Sequence, residues 1–123
     1  MLQRRENVIV IKTERFADRI VKMYRYLSKN RTASTDMLKQ VLRSGTSVGA
    51  NTAEGQFAQT KADFLTKMSI ALKEVNETRY WLTRLYANNH LSEAEYQSIV
   101  HDNEEIISIL VRITGTTKLR LKK

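Results

Sequence analysis

Apolar residues recur every three to four positions along most of the chain, the spacing of one face of an α-helix. Four such segments stand out. The first predicted helix runs from Lys12 to Lys29 and carries Phe16, Ile20, Met23, Tyr24 and Leu27 on one side. Residues 30–34 connect it to a second helix over Thr35–Ala58. There the inner face reads Leu38, Val41, Leu42, Gly45, Val48, Gly49, Thr52 and Ala53. Ser34 or Thr35 can cap that helix, because a short hydroxyl accepts from the free N–H groups of a first turn. A third helix is predicted over Thr60–Asn88, with Phe64, Leu65, Met68, Ala71, Leu72, Val75, Leu82 and Tyr86 as its stripe. Thr60 and Asp63 resemble a capping box at its start, and Asn88-Asn89-His90 is a stop, since Asn tolerates the left-handed conformation. The fourth spans Glu93–Thr114, opened by a Ser92–Glu95 capping box. Its stripe is Tyr96, Ile99, Val100, Ile106, Ile107, Leu110 and Ile113, and Gly115 is expected to end it. Thr116–Lys123 then reads as a short basic tail.

The β-branched stretch Asn7–Ile11 suits a strand or a helix start. With no second strand to pair with, a helix or an ordered arm is favoured. The segments, joined by short connections, predict one all-α domain, an up-down-up-down four-helix bundle. Composition agrees. The 123 residues fit a single domain, and zero prolines with only four glycines argue against a turn-rich β fold. No cysteine is present, which excludes disulfides, thiolate metal sites and thiol nucleophiles. The longest apolar run, Val8–Ile11, cannot cross a membrane. No long apolar stretch follows Arg4, Arg5 and Glu6, so no signal peptide is read and a cytoplasmic location is expected.

Charge adds a partner class. The formal net charge is +8, and its distribution is uneven: residues 1–50 and 112–123 are basic, while residues 51–111 are acidic. Polyanions are the natural partners of the two basic ends. On the first helix Lys12, Arg15, Arg19, Lys22, Arg25 and Lys29 project away from the apolar stripe, interrupted by Asp18, which can pair with Lys22. Lys and Arg groups arranged in this way hold phosphate and make affinity salt-dependent. Arg112, Lys118, Arg120, Lys122 and Lys123 extend the footprint if the tail folds back. Tyr26 is the one aromatic residue among these cations, too little for sequence-specific readout of a single strand.

The second helix is rich in small residues. Gly45, Gly49 and Gly55 lie within eleven residues, although each glycine costs about 1 kcal/mol relative to alanine in a helix interior. Close approach of a neighbouring helix explains them. A phosphate cradle does not, because the Gly-x-x-x-x-Gly-Lys-Ser/Thr pattern is absent. Ser47, Asn51 and Glu54 form a polar line beside the apolar stripe, either solvated or set against a second subunit or a partner.

Arg43–Gly55 resembles the signature Ser-x-x-Ala-Asn-x-Ala-Glu-Gly of the four-helix family first noticed in 23S rRNA intervening sequences. Ser47, Ala50, Asn51, Ala53, Glu54 and Gly55 fill its places. Asp63-Phe64, Ile70–Glu74 and Glu77–Leu82 resemble that family's third helix. The chain is also similar to one branch of the family, the accessory variability determinants of diversity-generating retroelements. The resemblance implies a homopentamer of four-helix protomers with a basic surface, acting by binding a reverse transcriptase and nucleic acid.

Two polar residues interrupt apolar stripes. Arg79 falls between Val75 and Leu82, and Asn103 between Val100 and Ile107, so a buried polar layer is expected, with outward reach of the Arg79 head as the alternative. Tyr80 and Trp81 project off the stripe and, with Phe57, suit a subunit contact or packing within one protomer.

Catalytic chemistry has little to stand on. Glu74-x-x-Glu77 and His101-x-x-Glu104 are the nearest approach to a di-iron arrangement, in the wrong order and with one helical histidine. Ser47 has no His or Lys near it in sequence to act as base. The expected function is therefore that of a non-enzymatic basic accessory protein, without cofactor or metal, that binds RNA or DNA and a reverse transcriptase as a homo-oligomer. A structural oligomer with no nucleic-acid role is the alternative.

Overall fold

The computed structural model describes residues 4–30 and 33–122. Arg31 and Thr32 of the expected first connection and Lys123 of the expected basic tail lie outside them. Four α-helices make up the described chain: α1 (Arg4–Asn30), α2 (Thr35–Gly55), α3 (Lys61–Ala87) and α4 (Glu93–Leu121). No strand occurs among the described residues.

Helix α1 starts well before Lys12. The β-branched opening is helical because it continues the buried face: Ile9 and Thr13 are inside, in step with Phe16, Ile20 and Leu27. Burial of that face outweighs the modest helix penalty of β-branched side chains. Three caps form as the sequence suggests. Ser34 Oγ accepts from Met37 N–H at 3.1 Å, and Thr60 Oγ1 accepts from Asp63 N–H at 3.0 Å. At α4 the capping box is complete, with Ser92 N–H donating to Glu95 Oε1 at 2.8 Å and Glu95 N–H to Ser92 Oγ at 3.1 Å. Asn89 takes the left-handed conformation (φ 64°) that ends α3.

Gly115 does not end α4. The helix continues to Leu121, and residues 116–121 form its last turns rather than a tail. Thr114 and Thr117, both buried, carry the inward face past the glycine, each returning its hydroxyl to the helix at 2.9 and 2.8 Å. Inward-facing residues on both sides of Gly115 keep this segment packed, and that packing outweighs the glycine's penalty.

Each helix packs on its chain neighbours, and α4 closes the ring on α1. Thr13 meets Thr52 and Ile20 faces Gly45, while Ser44 meets Thr78 and Gly55 abuts Met68. The core is mostly aliphatic, with Phe16 packed among Ile20, Val41, Val48, Met68, Val75, Leu82, Ile106 and Leu110. The three small-residue positions of α2 are explained by close packing. A Cβ on Gly45 would stand 2.9 Å from both Cγ atoms of Ile20, and one on Gly49 would stand 3.2 Å from the Thr13 carbonyl oxygen.

The interior polar groups are not those expected in full. Asn103 is buried, and its Nδ2 donates to the Val75 carbonyl at 3.2 Å. Arg79 is outside it: its side chain is 50% exposed, and its Nε lies 2.8 Å from Glu104 Oε1. Thr78 takes the inner position instead, its hydroxyl donating to Ser44 Oγ at 2.9 Å. Both residues are one turn from Val75, but buried Leu85 draws the centre of the stripe toward Thr78.

Candidate nucleic-acid interface

The cations of α1 fall into two rows of heptad spacing. Lys12 and Arg19 stand beside α4, while Arg15, Lys22 and Lys29 lie one step further round, with Arg25 beyond them. The inner row is spent within the chain itself. Lys12 Nζ donates to Glu105 Oε1 at 2.8 Å. Arg19 Nη1 donates to Asp102 Oδ2 at 2.6 Å and to the Ser98 carbonyl at 3.2 Å, and Nη2 donates to Ser98 Oγ at 3.0 Å. These contacts strap α1 to α4, the most sparsely packed pair of adjacent helices. Exposed ion pairs of this kind contribute at most about 1 kcal/mol each.

The outer row is available. Arg15, Lys22, Arg25 and Lys29 are exposed and form no ion pair among the described residues. Asp18 is likewise unpaired with Lys22 there. The strap holds α1 at its α4 edge and leaves these four side chains directed to solvent on a rigid helix.

Lys118, Arg120 and Lys122 are exposed on the last turns of α4. They do not fold back along the α1 stripe. Since Lys12 meets Glu105, the later residues of α4 run toward the start of α1, where Arg112 and Arg120 border a cleft with Val8 and Ile9. Lys118, Arg120 and Lys122 therefore lie past the start of the α1 stripe, at the end of the bundle away from Lys29.

The polar line of α2 lies along its seam with α3. Ser47 and Asn51 are half-buried and turn their donors back to the helix, to the Arg43 and Ser47 carbonyls at 2.7 and 2.9 Å. Glu54 is exposed and accepts from Lys67 Nζ at 3.2 Å, and Gly55 is buried against Met68 and Lys67. At the other end of the seam Glu74 and Glu77 grip Arg43. The hydrogen bond from Arg43 to Glu77, supported by the charges of both carboxylates, raises the guanidinium's affinity for its proton above the ordinary arginine value. Glu74 and Glu77 thus hold a cation of the protein itself, as Glu104 does with Arg79, and no group of three side chains suited to a metal ion occurs among the described residues.

Tyr80 is exposed and meets the half-buried Trp81 edge-on at 5.0 Å between ring centres, with the Arg84 guanidinium 5.8 Å above the Tyr80 ring. Phe57, also exposed, sits in the turn before α3, roughly 30 Å along the helix axis from Tyr80. Within the chain the three aromatics are therefore not brought together.

The 23S rRNA-intervening sequence protein family matches residues 5–112. This chain belongs to that family. A crystal structure described as a protein with unknown function from the S23 ribosomal protein family of Bacteroides thetaiotaomicron superposes with a TM-score of 0.86. It is 44% identical, over 89% of this chain and 97% of that one. No curated protein matches the chain. Neither the family description nor that structure's indicates an enzyme. The α1 cations lie inside the 23S rRNA-intervening sequence match, whereas Lys118, Arg120 and Lys122 lie beyond its end. No helix among the described residues is long and apolar enough to cross a membrane.

Sequence reasoning missed the acceptors that consume Lys12 and Arg19. The sequence offered no clear signal: Asp102 and Glu105 lie one turn apart on α4 whereas Lys12 and Arg19 lie two turns apart on α1, so the pairing follows from how the two helices are set against each other.

Proposed function

We propose that this member of the family is a non-enzymatic accessory protein that binds nucleic acid through the outer cations of α1. One observation carries the reading. Arg15, Lys22, Arg25 and Lys29 stay exposed and unpaired among the described residues, while their inner neighbours are tied to α4. Four such groups on a rigid helix release counterions on meeting phosphates, which favours binding at low salt without base specificity. The antiparallel contacts support an up-down-up-down course for the helices, and a cytoplasmic location suits this role.

The assembly we propose is a homo-oligomer, a pentamer by resemblance, with a reverse transcriptase as protein partner. The exposed Phe57, Tyr80 and Leu119 support a subunit contact. The alternative, a structural oligomer whose charge only confers solubility, makes the opposite forecast for binding. Fluorescence anisotropy with labelled RNA and DNA over a salt series separates the two. Binding that falls steeply with salt supports the proposal, and no binding at low salt refutes it. Sedimentation as a clean monomer at micromolar concentration refutes the oligomer.

A further inference from the structure

The α1–α4 seam opens toward the C-terminal end of α1 into a cleft of about 600 Å³. Its floor is apolar, made by Met23 and Leu27 of α1 and by Leu91 and Ile99 on the α4 side. Its rim carries Arg19, Lys22 and Tyr26. Tyr26 continues the inner row of α1, seven residues after Arg19 and fourteen after Lys12. The two cations of that row are strapped to α4; Tyr26 is 60% exposed, and no hydrogen bond of its hydroxyl is found among the described residues. A large aromatic left in that position at the mouth of a partly apolar cleft has not been used by the fold.

Its neighbours define what it can take. Lys22 lies one turn before Tyr26 and Lys29 one turn after, about 10 Å apart along the axis. A planar ring stacked on Tyr26 would have a cation on each side. An unpaired nucleotide within a strand has that pattern, a π-face between two phosphates. The cleft also holds Glu95, but this carboxylate is committed to the Ser92 N–H of the α4 capping box. Arg19, held by Asp102 and Ser98, forms a fixed wall.

We propose that this cleft binds one unpaired nucleotide of a single-stranded nucleic acid, with its base stacked on Tyr26 and its flanking phosphates at Lys22 and Lys29. The site rests on the nucleic-acid reading above and sharpens it, because it favours a single strand over a duplex. A base within a duplex must first be pulled from its stack, so duplexes engage the outer cations alone. Stacking on an aromatic ring is tolerant of base identity, and RNA and DNA single strands share the chemistry.

The test is anisotropy with four labelled probes of about 12 nucleotides: oligoadenylate as RNA, the same as DNA, an abasic strand, and a duplex. Each is titrated with the wild-type protein, Tyr26→Ala and Tyr26→Phe. The exposed position makes both variants tolerable to the fold, and unchanged thermal melts confirm it. Tyr26→Ala is expected to weaken binding of one or both oligoadenylates about 5- to 20-fold, leave the abasic strand and the duplex unchanged, and be rescued by Tyr26→Phe. If Tyr26→Ala leaves both oligoadenylates within about twofold of wild type, or weakens the abasic strand equally, the stacking site is wrong, although salt-dependent binding of every probe would leave the broader reading intact. If the wild-type protein binds none of the probes, both fall together.

Discussion

The two seams of α1 are built in opposite ways. Toward α2 it meets glycines and a buried hydroxyl pair. Gly45 lies under Ile20, Gly49 lies under the Thr13 carbonyl, and Thr13 and Thr52 share a hydrogen bond of 2.8 Å. Toward α4 it is sparsely packed and held by exposed ion pairs, with an open cleft further along the seam. Close packing excludes water and gathers dispersion contacts. Exposed ion pairs contribute little energy but fix an orientation. The α1–α2 seam therefore carries stability, and the α1–α4 seam leaves a rigid cationic helix with one side to offer. A site on a rigid helix costs less entropy on binding than one on a loop.

The sharpest way to break this contrast is to add bulk on the tight side. Gly45→Val drives methyl groups into Ile20, which is fully buried and cannot swing away. Denaturant melts are expected to show a loss of about 2–3 kcal/mol; an unchanged midpoint would mean that the seam is loose. Glycine in itself is not the cause, and Gly115 shows why. It sits on the outer side of α4, between the inward-facing Thr114 and Thr117, where an added Cβ meets nothing within 4 Å. Gly115→Ala is expected to raise stability by about 0.5–1 kcal/mol, through helix propensity and the unfolded chain. The two substitutions should shift the midpoint in opposite directions. The smallest change belongs to the open seam. Lys12→Ala removes an exposed pair with Glu105 and should cost no more than about 0.5 kcal/mol, with most of that gone at high salt. A loss comparable to that of Gly45→Val would overturn the division of labour between the seams.

Much of this was legible in the sequence, for identifiable reasons. Helix periodicity and the Ser92–Glu95 box are local signals whose physics does not depend on the rest of the fold, and the glycines of α2 were legible because their helix-interior penalty calls for a close neighbour, which the fold supplies. Three readings needed tertiary information. Val8–Ile11 looked ambiguous because β-branching speaks against a helix, and burial of Ile9 against the core decided it. Gly115 carried the mark of a stop, but packing of Thr114 and Thr117 carried the helix through. Thr78 and Arg79 lie three and four residues after Val75, both within one turn, and only the full stripe, Leu85 included, set the inward side. The basic stripe was visible as a whole. Its division into strapped and free rows was not, because it depends on which α4 residues come opposite. The role of the Ser47-Asn51-Glu54 line is a matter of what the outer α2–α3 seam meets, and its hydrogen bonds turn back to its own helix or across to Lys67.

The central claim is that the free row of α1 meets phosphate. It is tested most directly by the salt dependence of binding in a variant carrying Arg15→Gln, Lys22→Gln, Arg25→Gln and Lys29→Gln. All four positions are exposed, so the thermal melt should match that of the wild type. If each cation meets a phosphate, the slope of log affinity against log salt should become shallower by about 3.6 units on duplex DNA. A variant that keeps both the wild-type affinity and the wild-type slope would show that nucleic acid, if bound at all, is bound elsewhere on this protein.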